Sequence, residues 1–283
     1  YVTFSFLEPR QILTAYLDRQ IHWALAYVPP QLLHHPEDLR ITGEYSTGFF
    51  YFSAKSGPYA DRRIRRALDL LIPWNAVRLE STQLFPTDHL LPEHYRELEE
   101  QPFDLQETQR MAFALLAEAG YPYGAGLPTL HMAVHRGAQV DRAAEIIASQ
   151  WSETLGITVV IDTIPLGMYA RYPELSPYDF AFITWIGDFY DPFTFLYLWS
   201  SDSGYNLSNF TDSAYDDLLR QASSSPQNMR NQYVREAESY LLEQSVVFPL
   251  YHGITTNVIL SDTVTGWYDN ALNVHPIGNL GIR

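Results

Sequence analysis

An apolar run that ends in a tryptophan, a glycine and two acids holds the side chains best placed for chemistry: Tyr178-Asp-Phe-Ala-Phe-Ile-Thr-Trp-Ile-Gly-Asp-Phe-Tyr-Asp-Pro192. Phe180, Ala181, Phe182, Ile183 and Trp185 read as a buried strand, and Gly187 allows a sharp turn from which Asp188 emerges at the strand's C-terminal end. Ligands of open α/β sheets bind at that end. Two carboxylates beside Trp185 and Tyr190 match the paired acids of a glycosidase. A single carboxylate in an aromatic surround matches capture of a cationic amine instead. Asp191-Pro192 opens a helix expected from Phe193 to Trp199, with Asp191 as its cap and Pro192 in its first turn, which weakens the two-acid reading. Asp188 is then either a ligand-facing acid or an ordinary turn aspartate.

Other catalytic signatures are missing from the sequence. It has no Gly-x-Ser-x-Gly elbow, no phosphate loop of the Gly-x4-Gly-Lys type and no Gly-x-Gly-x-x-Gly fingerprint. His89-Leu-Leu-Pro-Glu-His94 has the wrong spacing for a zinc-binding helix, and Pro92 breaks any helix that would present both histidines on one face. His131 and His135 share one face of a predicted strand but have no third ligand in view. With no cysteine, disulfides, thiolate nucleophiles and Cys-based metal sites drop out. The sequence therefore calls for no cofactor, no metal and no hydrolytic or redox activity.

Composition narrows the partners. A chain of 283 residues that is 46% hydrophobic can bury a large core, as one large domain or two lobes. A formal net charge of -15 argues against nucleic acid and anionic lipid surfaces, and permits cationic ligands. No apolar run is long enough to span a membrane as a helix. The opening Tyr1-Val-Thr-Phe-Ser-Phe-Leu7 is strand-like, with neither an initiator Met nor a signal-peptide pattern, so the chain is expected to be a fragment or a trimmed product. Twenty Tyr, 15 Phe and six Trp exceed what the core needs, and Tyr121, Tyr123, Tyr190, Tyr205, Trp267 and Tyr268 fall in predicted loops suited to ligand contact.

The elements that must position these side chains alternate. A helix is expected from Pro9 to Arg19, a short strand at His22 to Ala26 and a β run from Tyr45 to Ser53. Asp61 caps a helix with Ile64, Ala67, Leu68 and Leu71 inward and Arg62, Arg63 and Arg66 on a solvated face. Thr82 to Phe103 reads as a long connection. A capping box at Asp104 and Glu107 starts a helix with Met111, Ala112, Leu115, Leu116 and Ala119 inward, and Gly120 stops it. Strand Thr129 to Val134, a helix from Val140 to Leu155 and strand Ile157 to Ile164 follow, giving with Phe180 to Trp185 an α/β layer with some parallel pairing. Asp212 caps a further helix, Ser225-Pro226 opens another with Met229, Tyr233, Ala237, Tyr240 and Leu241 inward, and strands are expected at Val246 to Tyr251 and Thr256 to Leu260.

Several ordered blocks carry a resemblance: Asp61-Arg-Arg-Ile-Arg-Arg-Ala-Leu68, Leu115-Leu-Ala-Glu-Ala-Gly-Tyr-Pro122, Gln150-Trp151 with Leu155-Gly-Ile157, Thr184-Trp-Ile-Gly-Asp-Phe-Tyr-Asp-Pro192, Tyr205-Asn-Leu-Ser-Asn-Phe210 and Phe248-Pro-Leu-Tyr251. In their order and spacing the chain resembles the extracytoplasmic solute-binding proteins of peptide ABC importers, the oligopeptide- and dipeptide-binding family. The resemblance implies an α/β, periplasmic-binding-protein-like (type II) lobe with a mixed sheet flanked by helices, plus partial strands of a second lobe. Residues 1–45 and 249–283 would belong to the first lobe and 46–248 to the second. It also implies a peptide or other small ligand, ABC permease subunits as partners, a monomer, and a periplasmic or extracytoplasmic location with a possible lipid anchor.

Within the resemblance Asp188 occupies the position that binds a peptide's α-ammonium, with Trp185, Thr184, Gly187, Tyr45, Phe49, Phe50, Tyr205 and Asn206 completing the expected ligand-facing set. The chain departs from relatives at Ile72-Pro-Trp-Asn75, in its lack of cysteine, and at Phe182, where some relatives carry a basic residue. A cytoplasmic solute-sensing regulator with the same fold and an extracellular glycosidase are the alternatives.

Overall fold

Strand β6 (Phe180–Ile186) lies inside a sheet and is covered on both sides, so Phe180 through Ile183 are all buried. It belongs to a computed structural model of the chain that describes residues 1–80, 85–92, 103–135, 140–165 and 177–283. The chain divides into two units, Ser46–His252 and a second made of Tyr1–Tyr45 with Gly253–Arg283.

In the first unit the strands run in the order β7 (Val247–Ile259), β2 (Leu39–Phe52), β6, β4 (Leu130–His135), β5 (Val159–Ile164). β2 and β6 pair antiparallel, with Thr47 opposite Trp185, Gly48 opposite Thr184 and Phe50 opposite Phe182. β4 runs parallel to both β5 and β6. The short β3 (Phe85–Pro86) pairs with β7 through Phe85 and His252. The strand-helix-strand order predicts this mixed α/β layer, because a parallel connection needs a helical crossover, here α5 (Asp141–Leu155) between β4 and β5.

One face of that sheet packs on α2 (Arg62–Leu70), α4 (Leu105–Glu118) and α5 in a single apolar core, with Phe50, Phe52, Trp151, Phe180 and Phe182 at its centre. Phe50 stacks parallel on Phe180 with ring centroids 5.1 Å apart. The predicted caps form: Asp61 accepts from the Arg63 N–H, Asp104 from those of Gln106 and Glu107, and Asp212, at the start of α7 (Ser213–Ser224), from those of Ala214 and Tyr215. Gly120 and Gly156 take positive φ after α4 and α5, the left-handed ends their sequence positions predict. Arg62, Arg63 and Arg66 reach a helix-end carbonyl or nearby acids. Arg65 instead is buried, its guanidinium donating to the carbonyls of Tyr59, Ala60, Gln244 and Ser245. Burial lowers its pKa to about 10, which leaves it charged at neutral pH.

The second unit has its own small core of Tyr16, Val28, Val258 and Leu260 around α1 (Pro9–Leu17). Trp23 and Ala24 of β1 (Trp23–Ala24) pair with the far end of β7. Buried Asp38 accepts hydrogen bonds from the Tyr16 hydroxyl and from Ser261.

Several expectations need correction. Tyr1 to Leu7 forms no strand, and Tyr1, Phe4 and Phe6 are exposed, because an extended segment without a ladder partner gains neither hydrogen bonds nor burial. The strands expected at Val246 to Tyr251 and Thr256 to Leu260 are one strand, β7, held along its length by neighbours from distant parts of the chain: β2, β3 at Tyr251 and His252, and the segment Trp23–Ala24 at Val258 and Ile259. β2 starts at Leu39 rather than Tyr45, and a short helix, α3 (Trp74–Leu79), follows Pro73. At Asp104 the cap lacks its reciprocal half, because the Glu107 side chain pairs with Arg110. Most of the Thr82 to Phe103 connection, including His94, lies outside the described residues.

Candidate functional site

The side chains of β6 alternate between two faces. Phe180 and Phe182 enter the helical core, while Ile183 and Trp185 point the other way. There, Phe49 from β2, Leu198, Trp199, Tyr205 and Leu207 surround them and enclose a small apolar cavity within the first unit. Trp185 is 8% exposed, and the exposed Tyr205 meets it edge-on at 5.8 Å. Thr184 is half-buried and shares a 3.0 Å hydrogen bond with the Tyr251 hydroxyl of β7.

Past Ile186 the chain turns through Gly187 and Asp188 into α6 (Phe193–Leu196), which continues as a tighter turn over Tyr197–Trp199. The turn does not use a left-handed glycine: Gly187 is buried and has no positive φ. Thr194, 5% exposed, ties it back. Its hydroxyl oxygen accepts the Asp188 backbone N–H at 3.1 Å and the Trp185 indole N–H at 3.4 Å.

The two acids of this loop are in different circumstances. Asp191 accepts the Phe193 N–H at 3.0 Å, the capping contact expected of it, although Pro192 is the residue that directly precedes the helix. Both Asp191 oxygens also lie 2.7 Å from the Arg230 guanidinium, which in turn sits over the Phe193 ring. Asp191 is thus neutralised and immobilised, and the two-acid arrangement of a glycosidase is not available here. Asp188 is exposed, and among the described residues nothing hydrogen-bonds its carboxylate.

The remaining expected ligand-facing residues divide. Phe49 and Tyr45 are buried at 2%, and Phe50 is fully enclosed in the core, so Phe50 has no surface with which to touch a ligand. The resemblance placed it among the ligand-facing residues, but strand alternation puts it on the helical face of β2, opposite Phe182. Asn206 is occupied within its own loop, its amide donating to the carbonyls of Ser200 and Phe210 and accepting from Ser208. Sequence reasoning missed Thr194, Tyr251 and Arg230. Thr194 lies three residues past Asp191, within reach of a local reading, whereas Arg230 arrives from α8 (Gln227–Glu243), 39 positions away, with no local signal.

Among the described residues no cluster of three His or acidic side chains could hold a metal ion, and no helix is long and apolar enough to cross a membrane. His131 is exposed on β4 and His135 lies 5.7 Å from the Phe182 ring.

A family model described as bacterial extracellular solute-binding proteins, family 5, middle region, matches residues 1–206. The periplasmic murein peptide-binding protein MppA of Escherichia coli K12 is 30% identical over 234 residues, 80% of this chain and 41% of that protein. The probable deoxycholate-binding periplasmic protein YgiS of the same organism is 26% identical over 240 residues, 81% of this chain and 45% of its own length. The solved structure of the Escherichia coli murein tripeptide binding protein MppA superimposes with a TM-score of 0.71 at 26% identity, covering 93% of this chain and 53% of that one. The chain spans about half the length of the curated relatives it matches. The mixed sheet flanked by helices is the periplasmic-binding-protein-like fold expected above.

Proposed function

The chain belongs to the bacterial extracellular solute-binding proteins of family 5, and from that premise we propose that it is the ligand-capturing part of an ABC importer and that its ligand is a peptide held by its α-ammonium group at Asp188. The observation that carries this is the contrast between the two acids. Asp191 is fully used by Arg230 and the helix start, while Asp188, in the turn that follows Trp185, presents a carboxylate with no hydrogen-bond partner among the described residues, and Tyr205 meets Trp185 edge-on. A carboxylate with apolar neighbours gains most from a partner that is itself cationic.

Side-chain-independent recognition would fall to main-chain hydrogen bonds along an extended peptide, as an importer of many sequences requires. The likeness to a protein described as a probable deoxycholate binder favours a second reading, an amphipathic small ligand. An unpaired acid at the site opposes a ligand whose only charge is a carboxylate, whereas a peptide also offers an α-ammonium to meet it, so the peptide reading is preferred. Delivery to permease subunits, an extracytoplasmic location and the lack of any catalytic activity are part of the same proposal.

The test uses the intact protein. Asp188→Asn should weaken binding of a mixed tripeptide library, read by equilibrium dialysis, by about 30- to several-thousand-fold, the cost of stranding an ammonium from which the bound peptide itself has excluded water. N-acetylating the library should hurt the wild type as much and the variant hardly at all. Equal losses on acetylation in both proteins would remove Asp188 from the site.

A further inference from the structure

We propose that Thr194 is a positioning residue that aims Asp188 and Trp185 together at the ligand through one hydroxyl, setting affinity without touching the ligand itself. The inference rests on the reading of Asp188 given above. Asp188, Phe189 and Tyr190 are exposed, so burial does not fix the turn they form. What holds its first residue is the hydrogen bond from the Asp188 N–H to the Thr194 hydroxyl oxygen. The second lone pair of that oxygen faces the Trp185 indole N–H, so the rotation of the indole ring and the backbone of the acid are referred to one atom.

Thr194 is well suited to this. It is 5% exposed and β-branched, which confines χ1. Its own N–H is bonded to the Asp191 carbonyl, and Asp191 is clamped by Arg230. A line of restraint therefore runs from α8 through Arg230, Asp191 and Thr194 to the backbone N–H of Asp188, the residue that carries the exposed carboxylate. A group held in its binding geometry before the ligand arrives binds more tightly than one that must be ordered on contact.

The experiment is a double-mutant cycle in the intact protein with the mixed tripeptide library and its N-acetylated counterpart. Thr194→Val, close in shape but without an acceptor, should weaken binding of the free-amine library about 3- to 10-fold, the range of one lost hydrogen bond. Thr194→Ser, which keeps the oxygen, should restore most of it. In an Asp188→Asn background the same valine should cost clearly less, leaving only the Trp185 share, a coupling that a general loss of stability would not produce.

In ligand-free protein the Trp185 indole resonance should shift and the Asp188 amide should exchange faster in the valine variant. A full Asp188 effect with no Thr194→Val effect, or an equal valine loss in both backgrounds, would overturn the positioning role alone. Wild-type affinity in Asp188→Asn would overturn the ammonium reading and the positioning role with it.

Discussion

Asp188 and Asp191 lie three positions apart in the sequence, yet a single long-range contact separates their roles. The Arg230 side chain is 19% exposed and the Asp191 carboxylate about a third, so the pair is only partly shielded from water. Arg230→Met should therefore lower stability by only about 1 kcal/mol in thermal unfolding. Its larger effect should be on the Phe189 to Pro192 segment, whose amides should exchange faster once Asp191 keeps only its capping bond. Unchanged exchange there would mean that the ion pair does not hold the loop.

A second residue-scale consequence concerns acid. His252 is 1% exposed, and its Nδ1 lies 3.0 Å from the Thr47 hydroxyl, which donates its only proton to the Leu90 carbonyl at 2.8 Å. Nδ1 must then be the protonated nitrogen of a neutral ring. Burial, with His89 nearby, lowers the His252 pKa from 6.5 to about 4. The unfolded chain thus binds a proton that the folded chain does not, and stability should fall as pH drops from above 6.5 towards 4, by at most about 3 kcal/mol. His252→Gln should flatten that part of the stability curve in denaturant titrations, and an unaltered slope would assign the acid sensitivity to other groups.

At the scale of elements, the close approach of β2 to β7 depends on Gly48. A Cβ there would stand 2.5 to 2.9 Å from three ring atoms of Tyr251, the residue whose hydroxyl bonds Thr184 beside the site. Gly48→Ala should push that ring aside and cost about 1 to 3 kcal/mol, measured by chemical unfolding, with wild-type stability counting against the packing argument.

Helix α8 shows where hydrophobic periodicity misleads. The stripe expected at Met229, Tyr233, Ala237, Tyr240 and Leu241 is displaced, for Met229 is exposed and the buried positions are Val234, Ala237, Glu238 and Leu241. Glu238 is inward because its carboxylate accepts the N–H groups of both Leu90 and Leu91. A reading by apolar period assigns such an acid to solvent. Glu238→Leu should strand two buried amides and destabilise by about 2 to 4 kcal/mol in thermal unfolding, whereas a neutral result would show that water replaces the carboxylate.

Across the whole molecule the two units differ in how much they bury. Unit Ser46–His252 holds the large aromatic core around Phe50, Phe52, Phe180 and Trp151, whereas the core of the other rests on Tyr16, Val28, Val258 and Leu260. Opening free energy follows buried apolar contact, so amides of α1 should exchange well before those of α5 and β6 in a hydrogen-exchange experiment. Equal protection in the two would show that they open as one.

The sequence by itself determined the order of strands and helices in the α/β layer, the caps at Asp61, Asp104 and Asp212, the left-handed ends at Gly120 and Gly156, and Asp188 at the end of a buried strand. These are local facts, settled by side-chain period and by hydrogen bonds among neighbours within a few residues. Tertiary structure alone decided that Arg230 claims Asp191, that Arg65 is buried among four carbonyls, that Phe50 belongs to the core rather than the site, and that β7 is one strand. Each depends on groups brought together from distant positions, where apolar burial and the cost of leaving a buried charge or amide unpaired, and not the propensity of any segment, select the partner.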